Sequence, residues 1–287
     1  MSTENKIAPV RIKPYRERKS STLIIVALLM IWCLIPFYVM VVGAFKPSVA
    51  LNLTPVDLNP LTKMSFKNFI EVFRVAKVGK AFVNSLTICV LNCLITSFVG
   101  MTAGYAFAKL KFAGKNALFV LVMATMMLPV QVMMIPRYMV AKTLGITNTL
   151  YGVVLTSINA SYAIFMCRQF IMNISKDLLD AARIDGCSEY GVFFRIVLAM
   201  SKPVIAALCV FTFIGSWNDF VWQNIMIRSS ALRTVTLMLA HLDGKIDIKN
   251  LGVQFAGAAL SAIPMILIFF CFQNFFIKGL GEGAVKE

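Results

Sequence analysis

Six long apolar runs, separated by short polar stretches, dominate the chain. They fall near 23–44, 79–108, 116–136, 150–168, 203–227 and 253–277. Each reaches the ~20 residues an α-helix needs to cross ~30 Å of hydrocarbon at ~1.5 Å per residue. None alternates with period two, as the ~10-residue strands of a membrane β-barrel would. The pattern predicts an all-α, polytopic membrane protein of six transmembrane helices. Residues 22–277 form the membrane domain, 1–21 a polar N-terminal segment and 278–287 a short tail. The first run is longer than the apolar stretch of a signal peptide and no small-x-small cleavage site follows it, so it reads as a retained span. Pro36, Pro129, Pro136 and Pro264 lie inside the apolar runs. They read either as packing kinks or as bends that shape a cavity, because neighbouring helices or water can satisfy the carbonyls they free.

The longest polar interruption predicted on the inner side runs over 173–203, between spans four and five, and reads as helix–turn–helix. Ser175 is placed to cap the first helix, with Asp177 in its first turn, where a negative charge suits the helix dipole. Leu178, Leu179, Ala182 and Ile184 form a partial apolar stripe. Gly186 stands where a residue of positive φ ends a helix, and Ser188 can cap the next one, which carries Val192, Phe193, Ile196 and Val197. Ala181 and Ala182 would let another backbone approach closely, and Asp180 and Asp185 flank them, able to pair with a basic partner. A short helix of this kind can be pushed as a rigid body by a soluble partner.

Composition agrees with a lipid-facing chain. The hydrophobic share is 59% and the charged share 14%, against the ~25% charged residues of an ordinary soluble domain. The net charge of +15 would suggest nucleic acid in a soluble protein, but here basic residues gather in loops beside spans, and no polar segment interleaves aromatics with them. With the N-terminus cytoplasmic, the inner segments hold 16 of the 28 Lys and Arg residues. That modest bias places both termini in the cytoplasm. The outer segments are basic too, which favours a binding protein with an acidic face or an acidic sugar at the entrance.

Catalytic chemistry has little to work with. His241 is the one histidine. Cys89 and Cys93 lie one helical turn apart without His or carboxylate company, so they read as small buried side chains and not as metal ligands. No phosphate-binding G-x-x-x-x-G-K-[ST] loop is present. Energy must come from a partner or an ion gradient, and the spans lack the acid and histidine relays of a proton-coupled carrier. Asp219 is the one acid in or near an apolar span, after Trp217 and Asn218. It reads equally as a substrate or gate contact and as a structural pair. Trp222 reads as a membrane-interface aromatic. Asn159 and Tyr162 in span four are cavity candidates, or helix–helix hydrogen bonders.

Asp180-Ala181-Ala182, Asp185-Gly186, Phe194-Arg195-Ile196 and Pro203 resemble the EAA loop of bacterial ABC importer permeases. The rest of the chain resembles the carbohydrate permeases related to the second maltose permease subunit. Pro36-Phe37 with Phe45-Lys46, then Asn84-Ser85-Leu86, match their first two spans. Gly104-Tyr105-Ala106-Phe107-Ala108 with Phe112-Ala113-Gly114 matches their first inner loop, and Leu128-Pro129, Ile135-Pro136 and Leu144-Gly145 the third span and its exit. Trp217-Asn218-Asp219-Phe220 and the closing Gly279-Leu280 and Gly283-Ala284-Val285-Lys286 complete the series. Departures are Asp180 for Glu, Ser175 and Ala199 for Pro, and Glu287 for Gly. The resemblance implies a permease that hydrolyses no ATP itself. It implies a second permease subunit beside it, two cytoplasmic ATPase subunits that bind ATP and Mg, and a periplasmic or lipid-anchored solute-binding protein. It makes Asp180, Ala181, Ala182, Asp185 and Gly186 the coupling site, and Gly283, Ala284 and Val285 a tail contact to the ATPase. The chain itself would hold no cofactor, metal or nucleic acid. Two other readings stay open at this point, a secondary transporter driven by an ion gradient and a membrane enzyme. The first would show paired broken helices in inverted repeats; the second would need a catalytic constellation.

Overall fold

A computed structural model describes residues 19–46, 64–242 and 251–284, with side chains for 22–46, 64–74, 77–242 and 251–273. All regular structure among them is helical. Helices α1 (Lys19–Ala44), α2 (Lys67–Ala76) and α3 (Val78–Lys109) are followed by α4 (Lys115–Met126) and α5 (Val130–Thr143). Next come α6 (Leu150–Ser157), α7 (Ala160–Met172) and α8 (Lys176–Ile184). Then α9 (Glu189–Met200), whose middle Val192–Val197 is wound as a π-helix, leads into α10 (Lys202–Asn218). The chain closes with α11 (Val221–Met226), α12 (Val235–Ala240) and α13 (Leu251–Ala284). Apolar side chains cover the outside of α1, where Trp32 is 75% exposed, as expected of a surface solvated by lipid.

Three spans are continuous: Thr22–Ala44 of α1, Val78–Lys109, and Leu251–Gln273 of α13. The other three are broken, so the straight helices expected over 116–136, 150–168 and 203–227 are corrected. Helices α4 and α5 meet at 104°. The 12 residues of α4 rise only ~18 Å, and the chain turns at Pro129, the residue just before α5. There its missing N–H costs nothing, whereas mid-helix it would leave a carbonyl orphaned and clash with the preceding turn. Pro36, Pro136 and Pro264 sit inside unbroken helices. Helices α6 and α7 are bent by 51° without any proline. Asn159 leaves helical geometry at φ −92°, ψ 68°, and its carbonyl still accepts from Ala163 N–H at 3.2 Å. Span five stops at Asn218, and Asp219 is extended before α11 begins. Residues 1–18 and 285–287 lie outside the described residues, and α13 continues through residue 284 into the expected tail.

Helix α3 is the central post. Gly100 and Gly104 form a small-xxx-small face against α7, where a Cβ added to either would stand 2.8 Å from the Cβ of Ala163 or Cys167. Close backbone approach of this kind supplies the van der Waals packing that holds helices together where both sides are already apolar. Polar residues rivet the rest of α3. Asn84 donates to the Ala231 and Arg233 carbonyls at 3.1 and 3.0 Å, and Ser85 accepts from Val235 N–H at 2.9 Å. Asn92, 1% exposed, donates to Ser157 Oγ and Ser216 Oγ at 2.9 Å each. One amide thus joins α3, α6 and α10, satisfying in the interior groups that lipid could not.

Candidate functional site: a braced helix–turn–helix and an elbow cavity

Two features stand out, one at the α8–α9 turn and one where the three spans break. At the turn, Ser175 Oγ accepts from Asp177 N–H at 3.2 Å and Ser188 Oγ from Gly191 N–H at 3.2 Å, so both expected caps are present. Gly186 has φ +84°. Its N–H donates to Arg183 O at 3.1 Å, while Cys187 N–H donates to Ala182 O at 3.0 Å. These two bonds make a complete Schellman ending for α8.

The apolar stripe of α8 divides. Leu179 and Ala182 are buried against Val192, Phe193 and Val197 of α9 and against α3, α7 and α10. Leu178, Ile184 and Tyr190 face outward, Ile184 at 86% and Tyr190 at 80% exposure. Of the expected coupling residues, Ala181, Asp185 and Gly186 are exposed, Asp180 is half-buried and Ala182 is packed inside. The exposed surface of the turn is Ala181 together with the Ile184–Gly186 tip, whereas Ala182 packs inside.

Asp180 is not waiting unpaired. Arg183 Nη1 lies 2.6 Å from Asp180 Oδ1, and its Nε lies 2.7 Å from Glu189 Oε1. Glu189 Oε2 in turn accepts from Tyr105 Oη of α3 at 2.8 Å. The arginine and tyrosine bonds hold the Glu189 carboxyl below the ordinary carboxylate range. Arg183, Glu189 and Tyr105 thus brace the turn onto the central post, and sequence reasoning missed them as a group. Lys109 Nζ donates to the Met172 and Ile174 carbonyls at 3.1 and 2.6 Å, a basic group on the open C-terminal end of α7.

The second feature is a cavity of about 660 Å³ lined by all three elbows. Thr125, Leu128 and Val130 come from the α4–α5 break, Ser157, Asn159 and Tyr162 from the α6–α7 break, and Ser216, Asp219 and Trp222 from the α10–α11 break. Asn159, Tyr162 and Asp219 are therefore brought together as cavity residues. Asp219 Oδ1 accepts from Trp222 N–H at 3.1 Å, capping α11. Trp217 and Asn218 are not in this wall. Trp217 is 2% exposed, stacked on Phe213 at 5.7 Å and donating to Ser261 O at 3.2 Å, so it is corrected to a core residue. Trp222 is corrected from interface aromatic to buried wall residue, 4% exposed, with Nε1 donating to Thr156 Oγ1 at 3.1 Å. Thr96 and Arg137, also in the wall, were not singled out by sequence. Gly283 and Ala284 end α13 with side chains outside the described residues, as is all of Val285.

The family described as "Binding-protein-dependent transport system inner membrane component" matches residues 96–282. The chain belongs to this family. It is a membrane-embedded transport permease, and membership decides against the membrane-enzyme and ion-gradient readings. The permease is 36% identical over 259 residues to the arabinooligosaccharides transport system permease protein AraQ of Bacillus subtilis (strain 168), covering 88% of this chain and 90% of that one. It is 30% identical over 259 residues to the melibiose/raffinose/stachyose import permease protein MelC of the same organism, covering 88% and 91%. Among solved structures it resembles a chain from the crystal structure of a bacterial ABC transporter involved in the import of the acidic polysaccharide alginate. The TM-score is 0.78 at 21% identity, with 92% of the permease and 100% of that chain covered. At that identity the likeness concerns the fold.

Proposed function

We propose that this chain is a pore-forming permease subunit of an ATP-driven importer of oligosaccharides in the bacterial cytoplasmic membrane, with both termini cytoplasmic. It pairs with a second permease subunit. Two ATPase subunits, which bind ATP and Mg, dock beneath, and a solute-binding protein delivers the sugar from outside. The α8–α9 turn is the coupling element. One observation carries this reading: the turn offers the exposed Ile184 tip to a partner while Arg183, Glu189 and Tyr105 tie its base to α3. A push on the tip is thereby delivered to the helix that carries Asn92, and Asn92 holds two of the three elbows through Ser157 and Ser216. The sugars named for the AraQ and MelC relatives support an oligosaccharide cargo. The outer positive charge suits a binding protein with an acidic face.

The test is a tagged pull-down from membranes in mild detergent, with ATPase activity measured with and without sugar-loaded binding protein. Co-purification of an ATPase and a second permease, with stimulation by the loaded binding protein, is expected. A chain that purifies alone and moves solute under an ion gradient would refute the proposal.

A further inference from the structure

Resting on the importer reading, a question remains that it does not answer: whether this subunit touches the sugar or only shapes the path beside its partner. The elbow cavity bears on it. Arg137 of α5 stands in the wall, half-buried, and among the described residues it has neither an ion-pair nor a hydrogen-bond partner. Asp219 faces the same cavity and uses one carboxylate oxygen on Trp222 N–H, with no cation paired to it among the described residues. Thr96 is 1% exposed, and its Oγ1 is buried in that wall without a partner. Buried hydroxyls and half-buried charges left without a protein partner are unfavourable unless a ligand or water serves them, so their convergence on one cavity points to a polar ligand.

We infer that this subunit itself binds a sugar unit in the elbow cavity, with Arg137 donating to hydroxyl or ring oxygens, Asp219 accepting from hydroxyls, and Thr96 serving the remainder. The volume of about 660 Å³ lies within the ~300–1,000 Å³ typical of small-ligand sites. Tyr162 and Trp222 supply apolar ring surface in the same wall. The charge pattern selects the class of sugar. One cation and one anion, not neutralising each other, suit a neutral polyol that both donates and accepts. A uronate would pair with Arg137 but bring its charge beside Asp219, and an amino sugar the reverse, so neither gains net attraction for the cost of leaving water. The broken helices explain how a polar site of this kind arises here, since irregular backbone at membrane depth is tolerated where it lines a cavity.

The experiment uses the purified importer without its binding protein and reads equilibrium binding of tritiated arabinotriose, raffinose, maltotriose and trigalacturonate. ATPase co-purification is scored in the same preparations, and stimulation after loaded binding protein is added back to an aliquot. At least one neutral trisaccharide is expected to bind, and trigalacturonate to bind about ten-fold more weakly or not at all. R137Q and T96V should each weaken neutral binding by about ten-fold, the scale of a lost hydrogen bond in a water-poor site. D219N should narrow the gap in favour of trigalacturonate, a gain that misfolding cannot produce. Lys142→Gln, on the same helix outside the cavity wall, should change nothing. The inference is overturned if no sugar binds, if neutral binding survives R137Q and T96V, or if the unaltered importer binds trigalacturonate as well as the neutral sugars. In each of those cases an intact, stimulated ATPase would leave the importer reading standing. Loss of the ATPase partner from the unaltered chain would instead refute that reading.

Discussion

Gly186 shows how a single residue can hold a helix–turn–helix in shape. At φ +84° it occupies the left-handed region that costs an L-residue roughly 1–2 kcal/mol, more for a β-branched side chain. Nothing lies within 4 Å of where its Cβ would be, so the penalty comes from backbone strain and not from a clash. Gly186→Val should loosen the Schellman ending and lower transport per ATP hydrolysed, whereas Gly186→Asn, which tolerates this region, should keep most of it. Transport and ATPase rates in proteoliposomes test the pair, and equal coupling in both variants would place the turn's rigidity outside the mechanism. The Glu189 bonds give a pH dependence of known sign. Arg183 first, then Tyr105, lower the Glu189 pKa below its ordinary value of 4.5. The stabilisation is complete above that ordinary value and is lost as pH falls through the lower, folded one. The pair is half exposed, so its worth is about 0.2–1 kcal/mol. Hydrogen-exchange protection over α8–α9, taken relative to the intrinsic rate at each pH, should fall on acidification below the ordinary Glu value in the unaltered chain. In Glu189→Gln protection should already be lower at neutral pH and vary little on acidification.

At the scale of elements, what could be read from sequence follows the reach of the forces involved. The caps at Ser175 and Ser188 and the glycine stop at 186 are local chemistry, decided within four residues, and the structure has each of them. The long apolar runs fix which segments meet lipid, because length and hydropathy alone decide that. Rotation of a helix about its axis is not local. Trp217 and Asp219 are two residues apart, yet one is buried on Phe213 and the other looks into the cavity. Only the packing of α10 against α3 and α13 separates them. The α6–α7 break carries no proline signal, and it became visible only with the cavity it lines. The α3–α7 seam makes a further testable point. Because a Cβ at residue 104 would already sit 2.8 Å from Cys167 Cβ, Gly104→Ala should destabilise the subunit measurably. Gly104→Leu should do so severely, of order 1–3 kcal/mol or more for overpacking. Thermal unfolding in detergent should rank them in that order. A Leu variant as stable as the unaltered chain would contradict the seam.

On the scale of the whole molecule, the exposed α8–α9 tip and the elbow cavity are joined by α3. Tyr105 receives the brace from the turn at one end, and Asn92 holds Ser157 and Ser216 of the elbows farther along the same helix. On the proposed roles, docking at the tip and sugar binding in the cavity should be separable by mutation although α3 connects them. Ile184 is the sharpest place to cut. It is 86% exposed and makes no contribution to the chain's own core, so replacing it should leave the permease folded. Burying an isoleucine side chain against a partner contributes roughly 1.5–3 kcal/mol, which corresponds to ~10- to 100-fold in affinity. Ile184→Lys should therefore strip the ATPase from the purified complex while sugar binding at the elbow cavity persists. Replacing Leu179, 1% exposed in the same helix, with Lys should instead lose both, because a charge would be forced into the packing between α8 and α9. Size-exclusion profiles and sugar binding on the two variants decide the matter. If Ile184→Lys retains its ATPase, the exposed tip is not the docking surface. If it loses sugar binding as well, the two sites are one cooperative unit, and α3 transmits occupancy in both directions.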